Sequence, residues 1–321
     1  MFQKPKIFIS RKIPSGGIEI LKGAFDVQIW EHKLPPDRDE LLDACKDAYG
    51  VITLLSDKID KTFIDSCPSL KIISNYAVGY NNIDVGYAKE RGIAVCNTPD
   101  VLTDATADLA VTLLLATLRK IKPAWQNAIG GHWETWDPMG FIGGSLQNKT
   151  LGILGPGRIG FAAASKLKKG WDMNILYSGP NRKTDFENKL DASFVDIETL
   201  FKESDALSIH CPLNAKTHHL VDNTMLRLMK KTAVIVNTAR GEIINQNDLT
   251  KVLGEHAILG AGLDVTTPEP LPASHALFKL DNCVILPHIG SATEEARQAM
   301  SLLCAKNILE LHKGNQPITP L

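Results

Sequence analysis

Leu151-Gly152-Ile153-Leu154-Gly155-Pro156-Gly157-Arg158-Ile159-Gly160 is the stretch on which the fold turns. A short apolar strand runs straight into three glycines in a G-x-G-x-x-G pattern, and an alanine-rich segment from near Phe161 reads as a helix. In that setting each glycine has a reason: Gly155 for a tight turn, Gly157 for close approach of a pyrophosphate, and Gly160 for packing of helix on strand. The N-terminus of that helix offers free backbone N–H groups and a positive dipole end that suit phosphate oxygens. Pro156 has no N–H and donates nothing itself. The stretch predicts a dinucleotide site, with Gly155, Gly157, Arg158, Ile159 and Gly160 at its phosphates.

Outward from this turn the same rhythm continues. Apolar runs at residues 174–177, 206–209, 233–236, 261–265 and 283–286 alternate with amphipathic segments, and together with 151–154 they make the six strands of a dinucleotide fold. The first hundred residues carry an independent series at 7–9, 27–30, 51–55, 72–74 and 94–96, broken by turn clusters such as Pro14-Ser15-Gly16-Gly17. From Thr103 a helix with Leu109, Leu113, Leu114 and Leu118 at helical spacing reads as a spine between two domains. The final segment opens on Ser291-Ala292-Thr293-Glu294, a capping-box pattern, and its helix is expected to pack on the first domain. The predicted fold is therefore α/β, with two doubly wound parallel-sheet domains around a cleft. Residues 1–102 and 291–321 form the smaller, flavodoxin-like substrate domain and residues 103–290 the Rossmann-type cofactor domain.

At 321 residues, the chain exceeds what one core usually supports. A formal net charge of -1 and 22% charged residues speak against a polyanionic partner, so nucleic acid is not expected. No apolar run is long enough to span a bilayer and the N-terminus lacks a signal-type stretch, which points to the cytoplasm. Six cysteines without a Cys-x-x-Cys pair suggest reduced thiols and no metal. His218-His219 has no evident third ligand and reads as solvated surface.

Ser178 stands eighteen residues beyond Gly160, where an NAD-preferring site carries an acid for the ribose hydroxyl. Arg182 and Lys183, with Ser178 and Asn181 as donors, could instead neutralise a 2'-phosphate, so NADP(H) is favoured over NAD(H). Three further polar residues fall just past predicted strands: Arg240, Glu269 and His288. Reduction of a keto acid needs a cation for the carboxylate, a proton for the developing alkoxide and a group that keeps the proton donor charged. The planar fork of Arg240 suits the first task, His288 the second, and Glu269 beside it the third.

Asn237-Thr238-Ala239-Arg240-Gly241, Gly262-Leu263-Asp264-Val265, Pro268-Glu269-Pro270 and Pro287-His288-Ile289-Gly290-Ser291 occur in that order, behind Ala77-Val78-Gly79 and Thr98-Pro99-Asp100. The chain thereby resembles the D-2-hydroxyacid dehydrogenases, and within them the glyoxylate/hydroxypyruvate reductases. The resemblance implies substrate binding by Arg240, an acid–base pair of Glu269 and His288, and Asp264 beside the nicotinamide amide. It implies that Val78, Gly79 and Ser291 meet the substrate, and that Cys211, Pro212, Thr238, Ala239 and Gly290 flank the cofactor. Trp133-Glu134-Thr135-Trp136 looks like the segment such reductases use in a homodimer, where Trp136 can reach the partner's substrate; packing in its own core is the competing reading. Rival functions are a non-catalytic NAD(H)-binding co-repressor-like sensor, or a phosphoglycerate, formate or D-lactate dehydrogenase.

Overall fold

A computed structural model describes residues 4–321, and the chain divides into two compact units, 1–102 with 291–321, and 103–290. The first unit runs β1 (Lys6–Ile9), α1 (Ser15–Lys22), β2 (Asp26–Ile29), α2 (Arg38–Cys45), β3 (Gly50–Thr53), α3 (Lys61–Ser66), β4 (Ile72–Asn75), α4 (Val85–Glu90) and β5 (Ala94–Cys96). Its parallel sheet has the order β2-β1-β3-β4-β5, the flavodoxin-like arrangement. Aspartates start three of its helices: Asp37, Asp60 and Asp84 each accept a backbone N–H three residues on, and each such cap contributes about 1 kcal/mol.

The second unit holds α5 (Thr103–Leu118), α6 (Ile121–Ile129), β6 (Thr150–Leu154), α7 (Arg158–Trp171), β7 (Asn174–Ser178), α8 (Thr184–Leu190), β8 (Ser193–Phe194), α9 (Ile197–Glu203), β9 (Ala206–Ile209), α10 (Asn223–Leu228), β10 (Val234–Asn237), α11 (Gln246–Gly254), β11 (Gly260–Leu263), α12 (Ala276–Lys279) and β12 (Cys283–Ile285). The chain returns to the first unit as α13 (Glu294–His312), which packs on α1 and β4. The second sheet is wholly parallel, ordered β12-β11-β10-β9-β6-β7-β8. The expectation of a doubly wound α/β chain with two parallel sheets is borne out.

Both faces of the second sheet are covered, and the strand sequences show why. In β10, Val234 and Val236 enter the core under α5, α7 and α8, whereas Ile235 between them enters the opposite core with Leu226, Leu249 and Leu253. A period of two in a strand apolar on both sides is what a doubly covered sheet requires. Burying each such side chain contributes about 1.5–3 kcal/mol.

Three local expectations need correction. The second sheet has seven strands rather than six, because the two-residue β8 adds an edge too short to show as an apolar run. The helix after the glycine motif starts at Arg158, not near Phe161. The last helix is capped by Thr293, whose side chain accepts from Ala296 N, not by Ser291. Within the second unit α5 packs against α7 and β10 to β12.

Beyond α5, α6 and residues 130–144 form an arm with exposed apolar side chains, among them Trp125, Ile129, Trp133 and Trp136. Lys122 anchors it: its ammonium donates to the carbonyls of Phe278 (3.1 Å), Leu280 (2.7 Å) and Cys283 (3.0 Å), at the approach to β12.

Candidate active site

Where β6 and β9 lie side by side, their connections leave in opposite directions, which opens a crevice at the carboxyl end of the sheet. Gly155 follows β6 there at φ +96°, and a Cβ on it would fall 2.4 Å from Cys211 N, just past β9. Only glycine meets both demands. A Cβ on Gly157 would meet nothing within 4 Å, and Gly157 caps α7 with no side-chain hydrogen bond, which leaves room for a ligand at the start of the helix. Gly160 lies against Gly155 O, 2.7 Å from where its Cβ would sit. Thr238 Oγ1 is buried without a hydrogen-bond partner. An open, uncapped helix start at a switch point fits a dinucleotide pyrophosphate.

The loop after β7 carries Ser178, Asn181, Arg182 and Lys183 together. Ser178 is buried and its carbonyl accepts from Gly155 N at 2.9 Å, which ties this loop to the glycine turn. Arg182 is exposed, and its Nε and Nη2 grip Glu187 at 3.0 and 3.1 Å. Glu187 also accepts from Tyr177 OH at 2.7 Å, and the two bonds hold its carboxylate below its ordinary range. The guanidinium is thus oriented by a carboxylate one helical turn away, an arrangement the basic cluster alone did not reveal.

The catalytic candidates Arg240, Glu269 and His288 all lie in the second unit, each on a loop leaving β10, β11 or β12. Asn237, the buried polar end of β10, turns the first loop: its Nδ2 donates to Arg240 O at 2.8 Å and its Oδ1 accepts from Ala239 N at 2.9 Å. Arg240 Nη1 donates to Ala239 O at 2.6 Å. Burial lowers the Arg240 pKa, and the charges of Glu269 and Glu242 oppose that shift.

Glu269 Oε2 lies 2.8 Å from His288 Nδ1, while its Oε1 accepts from Thr266 N at 3.0 Å. Burial would raise its pKa, but the hydrogen bond and charge of His288, the Thr266 amide and the charge of Arg240 together hold it below the ordinary value. His288 adopts φ +54°, uncommon outside glycine. Asp264 supports that conformation: its carboxylate accepts from Ile289 N at 2.7 Å and Gly290 N at 2.8 Å, and its carbonyl accepts from His288 N at 3.0 Å. Burial raises the Asp264 pKa, and the two amides and the charge of His288 oppose it. With Nδ1 engaged by Glu269, Nε2 of His288 is left to meet a substrate.

In the first unit, Val78 and Gly79 follow β4 in a half-buried loop. Asn97 Nδ2 donates to Val78 O at 2.8 Å and Asn75 Nδ2 to Gly79 O at 2.9 Å, so the backbone groups this loop offers an anion are its N–H donors. Ser291, also in this unit, accepts through its carbonyl from Arg297 Nε at 3.1 Å. Trp136 is 81% exposed, which overturns the reading that it packs in its own core. Sequence reasoning gave no role to Asn237, Gln246 or His210. His210 sits past β9 with Nε2 2.8 Å from Ser208 Oγ, and burial lowers its pKa to about 4, so it stays neutral. A polar residue closing the all-apolar Val234-Ile235-Val236 was a visible signal for Asn237.

A seven-stranded parallel sheet with a glycine turn at its switch point, and an Arg, a Glu–His pair and a buried Asp on the loops beyond, defines a nicotinamide-dependent dehydrogenase fold. Residues 111–290 match the family described as D-isomer specific 2-hydroxyacid dehydrogenase, NAD binding domain, and the chain belongs to that family. It is 47% identical over 318 residues to a glyoxylate reductase of Thermococcus litoralis, covering 98% of this chain and 96% of the relative. A crystal structure of a Thermus thermophilus protein superposes with a TM-score of 0.93 at 38% identity, covering 98% of this chain and 99% of the other. An NADPH-dependent glyoxylate/hydroxypyruvate reductase from Sinorhizobium meliloti, solved with NADP and malonate, gives 0.86 at 32% identity over 99% and 97%.

Proposed function

We propose that this protein reduces glyoxylate to glycolate and hydroxypyruvate to D-glycerate, with NADPH preferred over NADH. The observation that carries the reading is the 2.8 Å Glu269–His288 contact, on a loop adjoining that of Arg240. Gly155, Gly157, Arg158, Ile159 and Gly160 would hold the phosphates of a nicotinamide dinucleotide flanked by Cys211, Pro212, Thr238, Ala239, Asp264 and Gly290, and its reduced ring would supply the hydride. Arg240 grips the substrate carboxylate and carbonyl oxygen through its fork. His288 Nε2 delivers the proton to the oxygen as negative charge develops there, and Glu269 keeps the imidazole oriented. The preference for NADPH rests on the absence of an acid at Ser178 and on Arg182.

The reading also makes the protein a cytosolic homodimer. Its arm exposes Trp125, Ile129, Trp133 and Trp136, apolar side chains of the kind that gather at interfaces, and Trp136 on it would reach a partner's substrate. No helix among the described residues is long and apolar enough to cross a membrane.

The test is the loss of nicotinamide absorbance with glyoxylate, hydroxypyruvate and pyruvate, using NADPH and NADH in parallel. Oxidation of NADPH with the first two acids is expected; reaction with pyruvate alone would assign a D-lactate type instead. His288→Ala should retain dinucleotide binding and lose turnover by about 10²-fold or more. Wild-type turnover of that variant would remove His288 from the chemistry.

A further inference from the structure

Gln246 opens α11, six residues beyond Arg240, and its side chain reaches the loop that carries Glu269. Its Oε1 accepts from Thr267 N at 2.9 Å and its Nε2 donates to Thr267 O at 2.6 Å, so one amide satisfies both backbone groups of one residue. That pairing fixes which end of the amide is oxygen. His275 Nε2 lies 3.4 Å from Gln246 Nε2, but His275 Nδ1 accepts from Leu277 N, which puts the proton of a neutral ring on Nε2. The contact between two donors adds nothing, and the Gln246 amide is committed to Thr267.

Thr267 sits between the two residues that define Glu269. Thr266 N donates to Glu269 Oε1, and Thr266 Oγ1 donates to Pro268 O at 2.9 Å. Glu269 then meets His288. A continuous chain of contacts therefore runs from Gln246 through Thr267 and Thr266 to Glu269 and His288.

We infer that Gln246 is a positioning residue for the acid–base pair, acting through Thr267 to fix the Glu269 loop against the Arg240 loop. The inference rests on the reading of Glu269 and His288 given above. It adds that this pair and the substrate guanidinium are held in common register by one neutral amide that touches neither substrate nor cofactor. A glutamine suits the place because the backbone offers one donor and one acceptor; methionine, of similar length, offers neither bond.

The experiment is a double-mutant cycle on the full-length enzyme, with Gln246→Met and Glu269→Gln made singly and together and assayed for NADPH oxidation by glyoxylate across pH. Gln246→Met is expected to lower kcat by about tenfold, since displacements near 1 Å at a catalytic group have effects of that order or larger. The KM for NADPH should hold, and the acid limb of the kcat/KM profile should move to higher pH as Glu269 loses the contacts that lower its pKa. In the Glu269→Gln background the further loss should vanish, because the effect passes through that carboxylate. An equal loss in both backgrounds with an unmoved acid limb would make Gln246 merely structural and overturn the inference, as would no loss at all. If Gln246→Met does not fold, Gln246→Glu serves: it keeps the acceptor for Thr267 N, loses the donor to Thr267 O, and should show a smaller shift of the same sign. Full activity of Glu269→Gln alone would instead refute the acid–base reading, a result distinct from failure of Gln246.

Discussion

Gly241→Ala adds one methyl group where the structure has no room for it. Gly241 is buried directly after Arg240, and a Cβ on it would stand 2.1 Å from Thr266 O and 2.2 Å from Thr266 C, where ordinary contact begins at 3.4 Å. The obstruction is backbone, so no side-chain rotation relieves it, and one of the two loops must retreat by roughly 1.3 Å, the shortfall from an ordinary contact. If the Thr266 segment moves, the amide beneath Glu269 Oε1 moves with it; if the other loop moves, Arg240 does. Overpacking of this kind destabilises by about 1–3 kcal/mol. A displacement near 1 Å at the reacting groups costs about 10²-fold in rate. The expected outcome is a fall in kcat/KM for glyoxylate of about 10²-fold, with a smaller loss of NADPH affinity, read by fluorescence titration, because the glycine turn lies past a different strand while Thr238, Ala239 and Asp264 adjoin the displaced loops. Near-wild-type turnover together with an unchanged denaturation midpoint would refute the claim that these two loops are locked at atomic contact.

Arg182→Ala should raise the KM for NADPH by about 10-fold or more while leaving that for NADH almost untouched, since one charge-assisted hydrogen bond is at stake; equal effects on both cofactors would remove Arg182 from 2'-phosphate recognition. Glu269 has a pKa below its ordinary 4.5, so its contribution to stability is complete above that value and is lost as pH falls through the lower folded value. The acid limb it imposes on kcat/KM should accordingly lie below pH 4.5, and a limb that survives Glu269→Gln unchanged would assign it to another group. Trp125→Glu on the exposed arm should yield a monomer by light scattering, whereas a wild-type enzyme already monomeric would contradict the dimer reading.

Much of the fold was legible because it rests on local patterning. The β6 strand, the glycine turn and the α7 helix are contiguous, and the apolar strand runs of both sheets are set by burial that any parallel sheet demands. Arg240, Glu269 and His288 could be picked out because each lies on the loop that follows an apolar run, at the end of the sheet where ligands gather. What escaped depends on approach through space. Gln246 reads as an ordinary first residue of a helix, and its role exists only because the Thr267 backbone comes within 3 Å of it. Glu187 reads as one acid in a polar helix until α8 brings it to Arg182. The cap of α13 was misplaced by two residues because Ser291 has Glu294 three residues on, as the pattern asks, whereas Thr293 has Ala296 there and caps through its own side chain alone.

The three carbonyls that receive Lys122 give the exposed arm an unusual mooring. A single ammonium with tetrahedral donors satisfies three converging oxygens at the foot of β12; a planar guanidinium could not match that convergence. The strand that begins there ends at Ile285, three residues before His288. The tryptophan-bearing arm is therefore tied to the base of the strand whose far end leads to His288, so the surface that looks most remote from that histidine shares a strand with it.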